Sequence, residues 1–157
     1  MSTDTVRVAA VQLLTGEDVE ANATLALGFL ERAAADGAKL IAFPEGCLFG
    51  YTCRTDYWEA MDASRFEAAE ARVSEAARRL GVAVVIGSAH QANGDWYNDL
   101  AIFDESGDLK YRYAKTFLAG EKWCLNNRGE LPIVRLAGVD CCFIICHDVR
   151  YPELVRL

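Results

Sequence analysis

The chain has 157 residues, 52% of them hydrophobic and 25% charged, which suits one globular domain with a real core. Asp and Glu number 23 against 16 Lys and Arg, and the net charge of -7 argues against a nucleic-acid partner, because an acidic surface repels phosphate. The N-terminal residues do not read as a signal peptide, and no apolar run approaches the roughly 20 residues that span a bilayer. We therefore expect a cytoplasmic protein with no membrane partner.

The first third of the chain alternates between strand and helix patterns. Residues 6–14 (VRVAAVQLL) are rich in Val and Leu and predict a buried strand. Apolar residues then recur at spacings of three and four over 19–33, which predicts a helix that Gly37 ends. Residues 39–46 (KLIAFPEG) predict a short second strand that stops at its proline.

The middle of the chain predicts a second long helix and a third strand. Ser64 begins the helix, with Glu67 three residues later as a capping box, and Gly81 ends it. Residues 82–90 (VAVVIGSAH) are apolar on both faces, which is typical of a strand in a sheet covered on both sides.

The remaining elements are mainly strands. Their apolar patterns and turns predict two antiparallel hairpins, with strands at 96–104, 109–115, 132–136 and 139–145. Residues 116–131 between the hairpins predict a loop, and Pro152 begins another helix. This order of elements is typical of an α/β domain with mixed strand pairing.

Cys146 stands at the end of a predicted strand, just ahead of a helix N-terminus. Helix N-termini and nearby cations such as Arg150 lower the pKa of a thiol, and the N–H groups of such a turn can hold an oxyanion. The residue can therefore be an activated nucleophile. It can equally be a core cysteine that continues Cys141 and Cys142, which lie in an apolar run and are expected to pack as small hydrophobic side chains.

The other cysteines carry no metal-binding pattern. Cys47, Cys53 and Cys124 lack paired CxxC spacing, so a zinc site built from them and the two histidines is disfavoured. Without export, all six cysteines are expected to stay reduced.

A cysteine nucleophile needs a base, and several residues at predicted strand ends are candidates. Glu45 follows a buried strand and a proline, where partial desolvation makes a carboxylate a usable base. Lys115 ends another strand and can stabilise an oxyanion. His90 ends the third strand and is a distant alternative, whereas the side chain of His147 points away from its neighbour Cys146. Each of these residues alone can also be an ordinary polar residue at a strand end.

Three segments together resemble the catalytic signatures of the nitrilase, or carbon–nitrogen hydrolase, superfamily. They are LIAFPEGCLFGY, YRYAKTFLAGE and ICHDVRYPE, in the order in which that family carries its glutamate, lysine and cysteine. The first strand and the first hairpin also resemble the family. Residues 1–157 are therefore interpreted as the N-terminal portion of one carbon–nitrogen hydrolase domain.

The resemblance implies a role for each matched residue. Cys146 matches the nucleophile, Glu45 the general base, and Lys115 the residue that holds the oxyanion together with the backbone N–H of His147. Glu121 matches a second glutamate that positions the lysine and the leaving amine. The implied reaction is hydrolysis of a small amide or carbamoyl compound through an acyl thioester, without a metal or organic cofactor. Asp148 and Arg150 also match the family, and we expect them to fix the turn.

The resemblance also implies a four-layer α-β-β-α sandwich, incomplete at the C-terminus of this chain, and a homodimer or larger homo-oligomer. Because the last predicted helix is less than two turns long, we expect a fragment of a longer domain rather than a natural truncation. Two alternatives to the amidase stay open: a non-catalytic remnant that binds a partner, and a Cys–His hydrolase that uses His90. Aromatic and amide side chains in the loops can line a pocket or pack in the core, namely Tyr51, Tyr57, Trp58, Trp123 and Asn126.

Overall fold

A five-stranded sheet forms the centre of the protein. The computed structural model describes residues 5–127 and 130–156. The strands lie side by side in chain order: β1 (Val8–Ala10), β2 (Leu40–Ala42), β3 (Ala83–Ala92), β4 (Asp95–Phe103) and β5 (Leu109–Ala114). The first three strands are parallel, and β3, β4 and β5 are antiparallel. The predicted α/β class with mixed pairing is confirmed.

Two long helices cover one face of this sheet, and a short hairpin lies on the other. The helical elements are α1 (Val19–Ala35), α2 (Thr55–Ala60), α3 (Ser64–Leu80), a 3-10 turn (Cys146–Arg150) and α4 (Pro152–Arg156). The hairpin consists of β6 (Val134–Leu136) and β7 (Val139–Cys141). Among the described residues, no helix is both long and apolar enough to cross a membrane.

Helix ends follow local side-chain chemistry, with one correction. Asp18 caps α1 by accepting the N–H groups of residues 20 and 21, and Gly81, at φ +64°, ends α3 as predicted. The capping box predicted at Ser64 and Glu67 is wrong. The N-cap residue is Ala63, which has no capping side chain, and the carboxylate of Asp62 accepts the Ser64 N–H at 2.9 Å.

Strand alternation divides the interior into two apolar cores. On the helix face, sheet residues Ile41, Val84, Ile86, Ala101 and Phe103 belong to the core that contains Leu30, Phe66 and Val73. On the other face, Val85, Leu100, Ile102 and Tyr113 belong to the core that contains Val134, Leu136 and Ile145. These are three layers of the expected α-β-β-α sandwich: helices, large sheet and small sheet. A fourth layer has no counterpart within residues 5–127 and 130–156.

Two predicted strands are shorter and more exposed than their composition suggested. The strand predicted at 6–14 pairs only over Val8–Ala10, and Val8 is 55% exposed because β1 lies at the sheet edge. The strand predicted at 139–145 ends at Cys141. Cys141 is partly buried and packs against the second core, whereas Cys142 is exposed, so the expectation that both pack in the core is wrong for Cys142. Apolar composition alone does not distinguish a strand at the lateral edge of a sheet, or a segment that no longer pairs, from a central strand.

Candidate active site

Glu45 lies in a tight turn that is fastened to β3. The N–H of Phe43 donates to the carbonyl of Val85 at 2.8 Å, and the N–H of Leu48 donates to that of Gly87 at 3.0 Å. These bonds extend the pairing of β2 and β3 past the end of β2. The side chain of Glu45 is consequently held just beyond the C-terminal end of β2, and only 13% of it is exposed.

Gly87 makes this close approach possible. A Cβ atom at residue 87 would lie 2.2 Å from the carbonyl oxygen of Pro44 and 2.6 Å from the nitrogen of Gly46. Both are backbone atoms of the turn that carries Glu45, so a side chain here must displace the turn. The role of Gly87 was not predicted from the sequence, because a glycine inside an apolar strand has many explanations.

We predict that Gly87→Ala lowers kcat for the reaction proposed below by roughly 100-fold, since a shift of about 1 Å at a catalytic group has that effect. The measurement is kcat and KM of the variant, with circular dichroism to verify folding. Gly28→Ala is the matched control: apart from the neighbouring residues and backbone of α1 itself, no atom lies within 4 Å of the added Cβ, so it should leave kcat unchanged. Wild-type kcat in a folded Gly87→Ala variant would contradict this account.

Lys115 lies directly after β5 and is held from both sides of its backbone. Its N–H donates to the carbonyl of Asn98 at 2.8 Å, and its carbonyl accepts the N–H of Asn127 at 2.9 Å. The side chain is fully buried. Its ammonium group donates to Glu45 Oε1 at 2.7 Å and to Glu121 Oε1.

The two carboxylates keep Lys115 charged. Burial alone would lower the pKa of Lys115, but hydrogen bonds and charges from Glu121 and Glu45 outweigh it and raise the pKa above its ordinary value. Burial likewise acts to raise the pKa of Glu121, but Lys115, backbone hydrogen bonding and Tyr51 outweigh it and lower that pKa. The lysine is therefore a fixed positive charge rather than a proton acceptor.

Glu121 is buried in the loop after β5 and joins Lys115 to Tyr51. Its Oε2 accepts the N–H of Ala119 at 2.5 Å, and its Oε1 accepts the hydroxyl of Tyr51 at 3.0 Å. The ring centre of Tyr51 lies 5.7 Å from the Lys115 Nζ, within cation–π range. Tyr51 has φ +54°, a strained value for a side chain of its size, and strain of this kind clusters at functional sites.

Cys146 opens the 3-10 turn in a strained backbone conformation. Its φ is +42°, in the left-handed region that most side chains avoid, and it is exposed. Cys146 and Glu45 line the same open cavity of about 320 Å³. Among the residues that the structure describes, the backbone N–H of His147 donates to no other group, so it is available to an oxyanion.

Asp148 fixes the turn that carries Cys146. This fully buried carboxylate accepts the N–H of Ile145 at 3.0 Å, the N–H of Phe117 at 2.7 Å and the hydroxyl of Tyr113 at 2.8 Å. It thereby ties the nucleophile turn to the segment that follows Lys115. The expectation that Asp148 fixes the turn is confirmed. The same expectation for Arg150 has no support, because Arg150 is exposed and forms no ion pair within residues 5–127 and 130–156.

The pKa of the Cys146 thiol is raised, which corrects the sequence-based expectation. Loss of solvent and the charge and hydrogen bond of Glu45 raise this pKa, and Lys115 only partly opposes them. The expected cation, Arg150, does not contribute. A protonated thiol beside a carboxylate side chain is the arrangement that a proton transfer from Cys146 to Glu45 requires.

His90 lies on the opposite face of the sheet from this site. Neighbouring residues of a strand point to opposite faces, and in β4 Asn98 donates to Glu45 while Asp99 pairs with His90 Nδ1 at 2.6 Å. The geometry therefore gives no support to a Cys–His pair built on His90. His147 contacts the Tyr151 hydroxyl at 3.3 Å.

The loop aromatic residues divide between the site and the core. Tyr51 reaches the site, whereas Trp58 stacks on Trp123 at 3.6 Å inside an aromatic cluster that also contains Phe49. Within the described ranges, no group of three or more His, Cys, Asp and Glu residues is arranged to hold a metal.

Asn98 is a site residue that sequence reasoning missed. It is fully buried on β4, and its side-chain N–H donates to Glu45 Oε1 at 2.8 Å. An available signal was a polar amide at a buried position of a strand, in WYNDLAIFD.

Fold and site together define an α/β protein with a glutamate, a buried lysine and an exposed cysteine at one sheet edge. The chain belongs to the carbon–nitrogen hydrolase family, whose sequence model, described as Carbon-nitrogen hydrolase, matches residues 7–157. It is 30% identical to Nitrilase homolog 2 of Dictyostelium discoideum, over 96% of this chain and 49% of that protein. It is also 30% identical to a chloroplastic omega-amidase of Arabidopsis thaliana, over 93% of this chain and 43% of that protein.

A solved amidase from Nesterenkonia sp. superposes with a TM-score of 0.87 at 28% identity, covering 96% of this chain and 59% of that one. In a structure of a variant of that amidase, acrylamide has added at the active-site cysteine. The chain thus has the nitrilase-type fold and spans about half the length of the curated relatives it matches.

Proposed function

We propose that the protein hydrolyses a non-peptide carbon–nitrogen bond of a small amide or carbamoyl compound, with Cys146 as nucleophile. The observation that carries this proposal is the buried ammonium of Lys115 between Glu45 and Glu121, beside an exposed cysteine. A buried charge with two carboxylate partners is costly to assemble, and such arrangements cluster at active sites.

In the first half-reaction, Glu45 takes the thiol proton as the sulfur of Cys146 attacks the amide carbon. The carbonyl oxygen becomes an oxyanion, which accepts hydrogen bonds from Lys115 and from the N–H of His147. The carbon–nitrogen bond then breaks, the amine leaves with the proton that Glu45 had accepted, and an acyl thioester remains on Cys146.

In the second half-reaction, water replaces the amine. Glu45 takes a proton from the water, the resulting hydroxide adds to the thioester carbon, and the carbon–sulfur bond breaks. The sulfur recovers the proton from Glu45, and the carboxylic acid leaves. Glu121 holds the ammonium of Lys115 in place throughout.

For the substrate, we propose a small amide, in keeping with the omega-amidase and amidase relatives. For the setting, we propose a cytoplasmic protein that acts as a homodimer or larger homo-oligomer. All six cysteines are free, which suits a reducing compartment. Size-exclusion chromatography with light scattering tests the oligomeric state.

The test of the function is ammonia release from a panel of small aliphatic amides, ω-amides and carbamoyl compounds, with mass spectrometry of the rapidly quenched protein. We expect ammonia release and an acyl group on the Cys146 peptide. A folded protein that releases no ammonia and gains no acyl group would favour the interaction-module alternative.

A further inference from the structure

We propose that Asn98 is a positioning residue for this reaction: its amide N–H fixes one oxygen of Glu45 so that the other oxygen faces the Cys146 thiol. The inference rests on the proposed function and adds a residue to it.

The position of Asn98 links the base to the lysine. Its side chain donates to Glu45 Oε1 at 2.8 Å, and its backbone carbonyl accepts the N–H of Lys115 at 2.8 Å. It lies within β4, paired with β3 on one side and β5 on the other. A rigid strand therefore sets the distance between Glu45 and Lys115.

The two oxygens of Glu45 are unequal. Oε1 accepts from both Asn98 and Lys115, whereas Oε2 accepts from neither of these two residues. An oxygen that already holds two donors is a poor proton acceptor. The free oxygen is the one left for the thiol, and Asn98 preserves this division by holding the carboxylate against rotation.

The carbonyl oxygen of the Asn98 side-chain amide is the second unusual feature of this residue. Asn98 is fully buried, yet its Oδ1 has no hydrogen-bond partner among the described residues. The reversed amide would place two acceptors 2.8 Å apart at Glu45, so the orientation is fixed by the carboxylate. Buried polar atoms normally have partners, and an exception next to a proposed base favours function over fold stability as its reason.

Loss of this donor should disfavour the ionised form of Glu45, because a hydrogen bond to a carboxylate stabilises its charge. For Asn98→Ala we expect the acid limb of the kcat/KM profile to move up by about one pH unit and kcat to fall by about tenfold or more, with KM little changed. Asn98→Asp replaces the donor by a second carboxylate and should move the limb further.

Asn22→Ala is the matched control. Asn22 is a second buried amide, bonded to the backbone of Gly16 and Leu48 and outside the proposed machinery. It should lower the melting temperature without moving the acid limb. If Asn98 acted through stability alone, Asn98→Ala would likewise lower the melting temperature without moving the acid limb.

Carbon-13 NMR titration of the Glu45 carboxyl measures the corresponding midpoint without substrate, and Glu45→Gln assigns the signal. In Asn98→Ala this midpoint should move by the same amount as the acid limb. An unmoved acid limb and an unmoved NMR midpoint in folded Asn98→Ala would overturn the inference. Full ammonia release by Glu45→Gln would instead overturn the proposed function.

Discussion

Cys146→Ala should lose amide hydrolysis almost completely, with a fall in kcat/KM of roughly 10⁴-fold or more. Removal of a nucleophile eliminates the covalent route and leaves only the contribution of binding and oxyanion stabilisation. The fold should be retained, because the thiol is exposed and the turn is held by Asp148 rather than by the sulfur. Steady-state ammonia release and thermal melting of the two proteins check this result.

Cys53→Ala is the control for this experiment. Cys53 is also exposed and free, but it is not among the described residues that line the cavity shared by Cys146 and Glu45. Its removal should leave the rate within a factor of two of wild type. If Cys146→Ala keeps substantial activity, or if Cys53→Ala is the inactive variant, Cys146 is not the nucleophile.

The elements that sequence alone located are those with strong local signals. The long helices have clear periodicity and are followed by glycines, and β3 begins with a continuous apolar run. Glu45, Lys115 and Cys146 were candidates because each stands at a predicted strand end, and their roles followed from the resemblance of their three segments to the family. The structure brings Lys115 into direct contact with Glu45, a contact between residues 70 positions apart that no local pattern specifies.

The features that sequence did not reveal depend on what faces each residue in space. The sequence pattern predicted a capping box at Ser64, but the Ser64 N–H donates to the carboxylate of Asp62. The pKa of Cys146 was expected to fall because of a helix terminus and Arg150. Instead, loss of solvent and then a carboxylate from a distant strand end, Glu45, raise this pKa. Asn98 was overlooked because its partner, Glu45, lies 53 residues away.

Glu45→Gln should lower amide hydrolysis by roughly 100-fold or more while making the Cys146 thiol more reactive towards iodoacetamide. The loss of hydrolysis follows from removal of the general base. The gain in alkylation follows from the sign of the charge effect: the carboxylate of Glu45 raises the thiol pKa, Lys115 lowers it, and a neutral amide removes only the first. Peptide mapping after brief labelling across a pH series measures the alkylation midpoint.

Glu45→Gln should lower hydrolysis and raise alkylation of Cys146, and this pair of opposite changes distinguishes a general base from a residue that only supports the structure. A merely disordered site would lose hydrolysis without a downward shift of the pH midpoint for Cys146 alkylation.

The buried Cys47 and Cys124, whose thiol pKa values burial raises to about 12, serve as internal standards for an intact fold and should stay unlabelled. Glu59→Gln, on an exposed face of α2, should change neither readout. If His90→Asn or His147→Asn abolished hydrolysis while Glu45→Gln did not, a histidine would be the base, and the role given to Glu45 would be wrong.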